Sequence, residues 1–413
     1  MSLESAAPPV VSVAVPLRRN RNFQLLWVGS AAAFLGLFVA EITFPLLILA
    51  LTGSPGLTSL FVVMQTATMV LVAVPAGRIL DRRDRRRILI ATECVRLATA
   101  ATLVTAMLAG LLSLAHLLLA AVVFGSVQAF GTARMLLLRA AVPPEQLTAA
   151  VTAEEVRTNA AELGGPPLGG FLYGTAQVLP FLFAMVMFMV SAVMAFFVRV
   201  PAPERSCEDE QRNLFTGFSV VLREPTLRGV VLMLMLVNAV AWPVQLIAVV
   251  LLQSRETPPW QIGLALSGLA LGALAGTAFV KFLHRVLRPG VLLMAVMLAE
   301  VPVLLVLAVP MGPLGVGLAC FCFGAGVPQL RVLMDVLIVR QVPDEHRGRA
   351  LTAVFTLCAL SVPVTMGCVG LVMEFRSPAV ALLILAGMLC AGGVWALTRR
   401  HLRRAEWPRE LAT

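Results

Sequence analysis

A chain of 413 residues with 59% hydrophobic and only 13% charged residues does not fit a water-soluble globule, in which about a quarter of the residues are charged. The mean hydropathy of +0.91 points the same way, and at about 20 apolar residues per bilayer crossing there is room for roughly a dozen spans and no large soluble domain. The net charge of +10 sits in short arginine clusters between apolar runs, without interleaved aromatics, which fits membrane topology and excludes a nucleic-acid surface.

Residues 1–22 hold no long apolar run followed by a small-residue cleavage site, so a disordered cytoplasmic leader is expected rather than a signal peptide. Apolar segments then fall at 23–51, 57–79, 88–112, 114–138, 149–173, 177–199, 226–252, 260–283, 290–310, 313–339, 350–374 and 378–398, which makes twelve. The fifth is the least apolar, because it opens with Glu154, Glu155 and Arg157 and ends rich in Gly and Pro. A polar linker, 200–225, divides a bundle of six spans (23–199) from a second bundle of six (226–398), and a basic tail occupies 399–413. The predicted fold is therefore an all-α membrane protein of twelve transmembrane helices in two pseudo-symmetric bundles.

Alternate loops are basic. Arg18, Arg19 and Arg21 precede the first span, Arg82, Arg83, Arg85, Arg86 and Arg87 fill loop 2–3, and Arg139 opens loop 4–5. The same side carries Arg205, Arg212 and Arg223, then Lys281, Arg285 and Arg288, then Arg340, Arg347 and Arg349, and finally Arg399, Arg400, Arg403 and Arg404. The opposite side has only Arg255 and Arg376. The positive-inside rule then puts both termini in the cytoplasm of a cell-membrane protein. An internal repeat supports the division: Phe124-Gly125, Val142-Pro143-Pro144-Glu145 and Leu147-Thr148-Ala149 recur as Phe323-Gly324, Val342-Pro343-Asp344-Glu345 and Leu351-Thr352-Ala353. Parallel six-helix halves of this kind occur in secondary transporters.

Little points to catalysis. The four histidines (His116, His284, His346, His401) lie at span ends or in loops, with no HExxH, and no GxxxxGK[ST] loop is present, so neither zinc nor ATP chemistry is expected. Six of the seven cysteines lie in apolar runs, where a thiol packs as a small hydrophobe. No cofactor and no metal are expected.

Loop 2–3 reads Gly77-Arg78-Ile79-Leu80-Asp81-Arg82-Arg83-Asp84-Arg85-Arg86-Arg87. It resembles motif A of the major facilitator superfamily, which joins the second and third helices and acts there as a cytoplasmic latch between the halves. On that likeness Gly77, Asp81, Arg82, Arg85 and Arg86 are the latch residues; Asp84 stands where many members carry Gly. In the fifth span, Gly165-Pro166-Pro167-Leu168-Gly169-Gly170 resembles the GPxxGG core of motif C, associated with antiporters, and names Gly165, Pro166, Gly169 and Gly170. Thr52-Gly53-Ser54-Pro55, Glu93-x-x-Arg96 and Ala133-Arg134 are similar to features of the branch that includes macrolide, multidrug and siderophore exporters. The resemblance covers nearly the whole chain and implies a proton-coupled exporter of an amphiphilic small molecule, working as a monomer in the lipid bilayer, with no nucleic-acid partner. An importer or uncoupled facilitator of the same fold is the alternative; a membrane enzyme, a channel or a sensor is more remote.

A charged side chain at the centre of a span costs about 2.5–3.5 kcal/mol even on the lenient insertion scale, so each one retained there is a functional candidate. Glu41 is the sharpest: it lies four residues before Pro45 in an otherwise apolar first span with no basic partner, and desolvation makes such a carboxyl a candidate proton carrier. Glu155, Asn159 and Glu162 share one face of the fifth span, and Arg157 is placed to pair with Glu154. Arg331 and Asp335 in the tenth span are spaced to neutralise each other. Glu93 and Arg96 form a candidate local pair, whereas Arg134 and Glu300 lack a partner on their own helices. By resemblance the cavity is lined by the first, fourth, seventh and tenth helices. Those helices carry Phe34, Phe38, Gln128, Phe130, Asn238, Trp242 and Gln245, and aromatic walls with few amides suit a lipophilic substrate.

Overall fold

The structure, a computed structural model, describes residues 16–199, 218, 219, 222–330 and 344–399, and among them every regular element is helical. The first half contains α1 (Arg21–Thr52), α2 (Pro55–Arg82), α3 (Arg85–Leu108), α4 (Leu114–Gln128), α5 (Thr132–Ala141), α6 (Leu147–Thr175) and α7 (Leu179–Phe197). The second contains α8 (Pro225–Gln253), α9 (Pro259–Val286), α10 (Pro289–Leu307), α11 (Pro313–Gly324), α12 (Asp344–Phe375) and α13 (Pro378–Thr398).

Local chemistry sets the helix ends. Thr52-Gly53-Ser54-Pro55 is the tightest example. Gly53 takes a left-handed φ of 66° and its N–H returns to the Leu49 carbonyl, closing α1. Ser54 then accepts the Leu57 N–H as N-cap of α2, and Pro55 opens that helix where its missing N–H is not needed. Asp84 performs the same service for α3, accepting from Arg86.

Two expected spans are interrupted. The fourth breaks at residues 129–131, dividing it into α4 and α5, and the tenth turns at residues 325–326 before four more helical residues. The fifth, by contrast, runs unbroken as α6 through Pro166 and Pro167. Among the described residues, eleven stretches are long and apolar enough to cross a bilayer. α6 has 29 residues but falls outside that set, because it carries Glu154, Glu155, Arg157 and Glu162. Polar positions on a membrane helix must face protein or water rather than lipid, so α6 belongs to the interior of the assembly.

Inside a bilayer helices gain little from hydrophobic burial against one another and associate through close packing. α9 shows how: a Cβ at Gly268, Gly272 or Gly276 would lie 2.3, 2.0 and 2.4 Å from backbone oxygens of the span that contains α11. Within the halves α1 packs on α6 and α7, α3 on α7, α2 on α4, α9 on α11, α10 on α13 and α8 on α12. Two main seams join the halves, α2 with α12 and α6 with α9, and α1 also touches α8, where Gln253 donates to the Leu46 carbonyl at 3.1 Å. The contacts at the first involve Ser54, Gly56 and Ser59 against Met366, Gly370 and Glu374. At the second, Gly170 and Pro166 meet Pro259 and Gly263. Both clusters lie at the arginine-poor end, so the halves close there.

Candidate substrate and proton site

Between the halves, α1, α2, α8 and α12 border a small cleft of about 40 Å³ that is partly open to solvent. Glu41, Pro45, Phe61, Gln65, Trp242, Gln245 and Met366 are among its walls. Glu41 is half-buried. Pro45 has no N–H to give, so the Glu41 carbonyl loses its i+4 donor. Glu41 thus brings a carboxyl group to the cleft at a point where the helix lacks one regular backbone bond. Glu162, on α6, is near enough for its charge to act on Glu41. It lies on the exposed face of α6 that also carries Glu155 and Asn159.

That proximity follows from the packing of α6 on α1. A Cβ at Gly165 would lie 2.4 Å from Phe38 Cβ, and one at Gly169 would lie 2.6 Å from Ile42 Cγ2. On its other side α6 touches the second half: a Cβ at Gly170 would be 2.3 Å from the Pro259 carbonyl oxygen, and one at Gly263 would be 2.2 Å from that of Pro166. Pro167 removes the donor from the Leu163 carbonyl, and the Ser267 hydroxyl of α9 reaches it at 3.1 Å, sharing its proton with the Gly263 carbonyl of its own helix, also at 3.1 Å. The Gly/Pro run is therefore a two-sided seam in which a hydroxyl from the other half satisfies a proline-orphaned carbonyl.

A second pocket lies inside the first half, beside the break between α4 and α5, and includes Phe34, Thr92, Glu93, Arg96, Phe130 and Arg134. Glu93 Oε1 accepts from Arg96 and from Arg134, each at 2.9 Å, and Arg134 also donates to Ser191 at 3.1 Å. Next to it Glu154 accepts from Arg157 and Ser30, both at 2.7 Å. Arg157 donates further to the Trp27 carbonyl at 3.2 Å and stacks over Phe34 with 5.3 Å to the ring centroid. These acids and bases neutralise each other in place.

The remaining sequence candidates separate. Trp242 and Gln245 share the inter-half cleft with Glu41, and Gln65, Phe61 and Met366 join them from α2 and α12, helices outside the expected lining set. Phe34, Phe130 and Arg134 belong to the second pocket instead. Phe38 packs under Gly165 and stacks with Phe34 at 6.2 Å. Gln128 ends α4, where its carbonyl accepts from Gly131 at 3.0 Å, and Asn238 donates back to Leu234 of its own helix at 3.1 Å. The stretch expected as loop 2–3 is mostly helical, with only Arg83 and Asp84 between the helices; Gly77, Asp81 and Arg82 lie exposed in the last turns of α2, and among the described residues nothing comes within 4 Å of a Cβ built at Gly77. Arg86 donates to the Phe196 carbonyl and lies 5.8 Å from the centre of that ring, so it ties α3 to α7 within one half; Arg85 is half-buried at the start of α3. Arg331 and Asp335 lie outside the described residues.

Residues 26–366 match the model of the Major Facilitator Superfamily. The chain belongs to this superfamily. Its fold is shared with solved transporters at low identity. A mutant form of the nucleoside transporter NupG superposes with a TM-score of 0.76 at 11% identity, covering 91% of this chain and 99% of that one. A bacterial homologue of the iron transporter ferroportin, in an inward-facing state, gives 0.73 at 17% identity over 94% and 100% of the two chains. A bacterial homologue of the human lysosomal transporter Spinster, inward-facing and unoccupied, gives 0.70 at 14% over 95% and 99%. No curated protein matches the sequence. The chain is thus a multi-pass membrane transporter of the major facilitator fold, which implies a small-molecule substrate and a lipid surround.

Proposed function

We propose that this transporter exports an amphiphilic small organic molecule in exchange for protons, and that Glu41 carries the exchanged proton. The observation that carries the reading is the position of Glu41: it lines the cleft between the halves with a second acid, Glu162, within electrostatic reach. Glu155 belongs to the same polar face of α6 and is the outermost candidate. The wall opposite, with Trp242, Phe61 and Met366 around the amides Gln65 and Gln245, offers a lipophilic body many contacts and few hydrogen bonds. Protonation removes the cost of a buried charge, so protonated and ionised Glu41 favour different arrangements of the halves. Return of a proton down the membrane potential supplies about 2.3 kcal/mol per charge per 100 mV.

The arginine-rich loops face the cytoplasm of a cell membrane in this reading, and the chain works as a monomer. Closure at the arginine-poor end is then the inward-facing state, and the Gly165–Gly170 seam together with α2–α12 is the outer gate. Gly77, Asp81 and Arg82 at the end of α2, with Arg85 and Arg86 at the start of α3, form the opposing latch when the cytoplasmic end closes.

The test uses inverted vesicles loaded with the chain, a fluorescent lipophilic cation such as ethidium as cargo, and an imposed proton gradient. Gradient-driven accumulation is expected to saturate and to be lost in Glu41→Gln, with exchange of cargo for cargo retained. Transport that ignores the gradient in wild type indicates a facilitator; unchanged gradient-driven transport in the variant removes Glu41 as carrier. The Glu41–Glu162 proximity also favours a second reading, a divalent cation as cargo. Saturable transport of that ion, abolished in Glu41→Gln and Glu162→Gln alike, establishes it.

A further inference from the structure

Glu300 lies on α10 eleven residues after Pro289, roughly 16 Å along the helix from its arginine-rich end, which is close to mid-bilayer depth. It is 3% exposed, and among the described residues neither of its carboxyl oxygens has a hydrogen-bond partner. The helices packed around α10 are α13, α11, α9 and α8. Their ionisable groups are Cys390 on α13, Cys320 and Cys322 on α11, Lys281, His284 and Arg285 at the arginine-rich end of α9, and Arg228 near the start of α8. No ion pair to Glu300 comes from any of them. Arg331 and Asp335 follow outside the described residues.

What Glu300 meets is the interruption of the tenth span. A Cβ built on Gly326 would lie 2.9 Å from both Glu300 Oε1 and Val296 Cγ1 and 3.6 Å from the Phe323 carbonyl oxygen, which accepts the Gly326 N–H at 3.2 Å, so the carboxyl borders a small space at the turn that only glycine leaves open. Pro328 has no N–H, which strips the Gly324 carbonyl of its usual i+4 donor. The Gly324 carbonyl is therefore the acceptor that this turn leaves without its regular helical donor. A carboxylate finds nothing there to stabilise its charge, whereas a carboxylic acid has an O–H to donate. A hinge of this kind is also where a membrane helix changes shape, since its backbone is not locked by a continuous hydrogen-bond ladder.

We propose that Glu300 is a second proton-binding site of this transporter, in the half opposite Glu41, where the turn at residues 325–326 holds the protonated acid and the carboxylate releases its proton to water when that turn rearranges. The only bond made and broken is the O–H bond, and the proton comes from and returns to water. The inference rests on the membrane fold and not on the assignment of Glu41.

Infrared difference spectra of the purified full chain in lipid, wild type minus Glu300→Gln, test it. A carboxylic C=O stretch belonging to Glu300 is expected in acid buffer and is expected to vanish in alkaline buffer. The same band is expected in a Glu41→Gln background, which keeps this result separate from the fate of the Glu41 reading. Gly326→Ala, whose new methyl displaces the carboxyl from the turn, is expected to shift the midpoint of the transition and serves if Glu300→Gln does not fold. Absence of the band at every pH, or a band that persists unchanged into alkaline buffer, overturns the proposal.

Discussion

The two halves treat the acid on their third helix differently. In the first, the Glu93 side chain is 1% exposed and shares one oxygen between Arg96 and Arg134, which arrives from beyond the break in the fourth span. In the second, Glu300 is buried to a similar degree beside the break in the tenth span and meets no cation among the described residues. A charge inside a span is tolerated when it is neutralised on the spot or when it is not permanently a charge. Glu93 and Glu154 meet the first condition and hold helices together. Glu41 and Glu300 do not, and an acid without a fixed cation is the kind that can exchange a proton.

The comparison breaks most visibly at Arg134. Arg134→Gln leaves Glu93 with Arg96 alone, and breaking a buried pair by removing one partner costs about 3–5 kcal/mol. A large fall in unfolding temperature in detergent is expected, with part of it recovered in Glu93→Gln/Arg134→Gln, where both charges go. If the single variant unfolds at the wild-type temperature, the network is not what compensates Glu93. The corresponding variant of the second half, Glu300→Gln, removes no ion pair and is expected to cost little stability.

The seams come next. A side chain at Gly263 has to displace the Pro166 carbonyl, 2.2 Å from where its Cβ would sit, and overpacking of this kind typically costs about 1–3 kcal/mol. Gly263→Leu is expected to disfavour closure at the arginine-poor end. Spin labels at Ala176→Cys and Ser254→Cys, with the native cysteines replaced, are expected to show longer separations in that variant. An unchanged distance distribution rules out this seam as the closing contact.

How much of this was readable beforehand depends on the range over which each feature is determined. The spans were readable because a bilayer crossing is written as a local run of apolar residues, and the Glu154–Arg157 pair was readable because its members are three residues apart on one helix face. Arg134 was left without a partner, since Glu93 is 41 residues away and only the packing of α3 and α5 brings it near. Gln65 and Phe61 are not legible as cleft residues in the sequence, because α2 enters the cleft only through its packing against α12, outside the set of first, fourth, seventh and tenth helices that the resemblance implies. The break at residues 129–131 contains Gly131 but no proline, so the fourth segment read as continuous. The Glu41–Glu162 proximity needed the Gly165 and Gly169 contacts, which bring α6 down onto α1.

The smallest effect is expected at the other seam. The Glu374 carboxylate, at the end of α12, accepts from Ser54 Oγ at 2.7 Å and from the Gly56 N–H at 2.9 Å. It sits over the start of α2, where the helix dipole favours an anion. Deeper in the same seam Ser59 donates to the Met366 carbonyl, and Gly370 admits Ser59 closely. Because Glu374 is exposed, water competes for its bonds and solvent screens its charge, so losing them is worth about 1 kcal/mol or less, under a tenfold change in an equilibrium. Glu374→Gln is therefore expected to move the balance between closed and open states slightly at this end, and less than Gly263→Leu does at the other seam. Reactivity of Leu57→Cys, in the first turn of α2 beside that seam, toward a water-soluble thiol reagent reads the difference, compared with and without Glu374→Gln. An increase larger than that caused by Gly263→Leu makes the exposed carboxylate, and not the buried glycine contacts, the principal fastening between the halves.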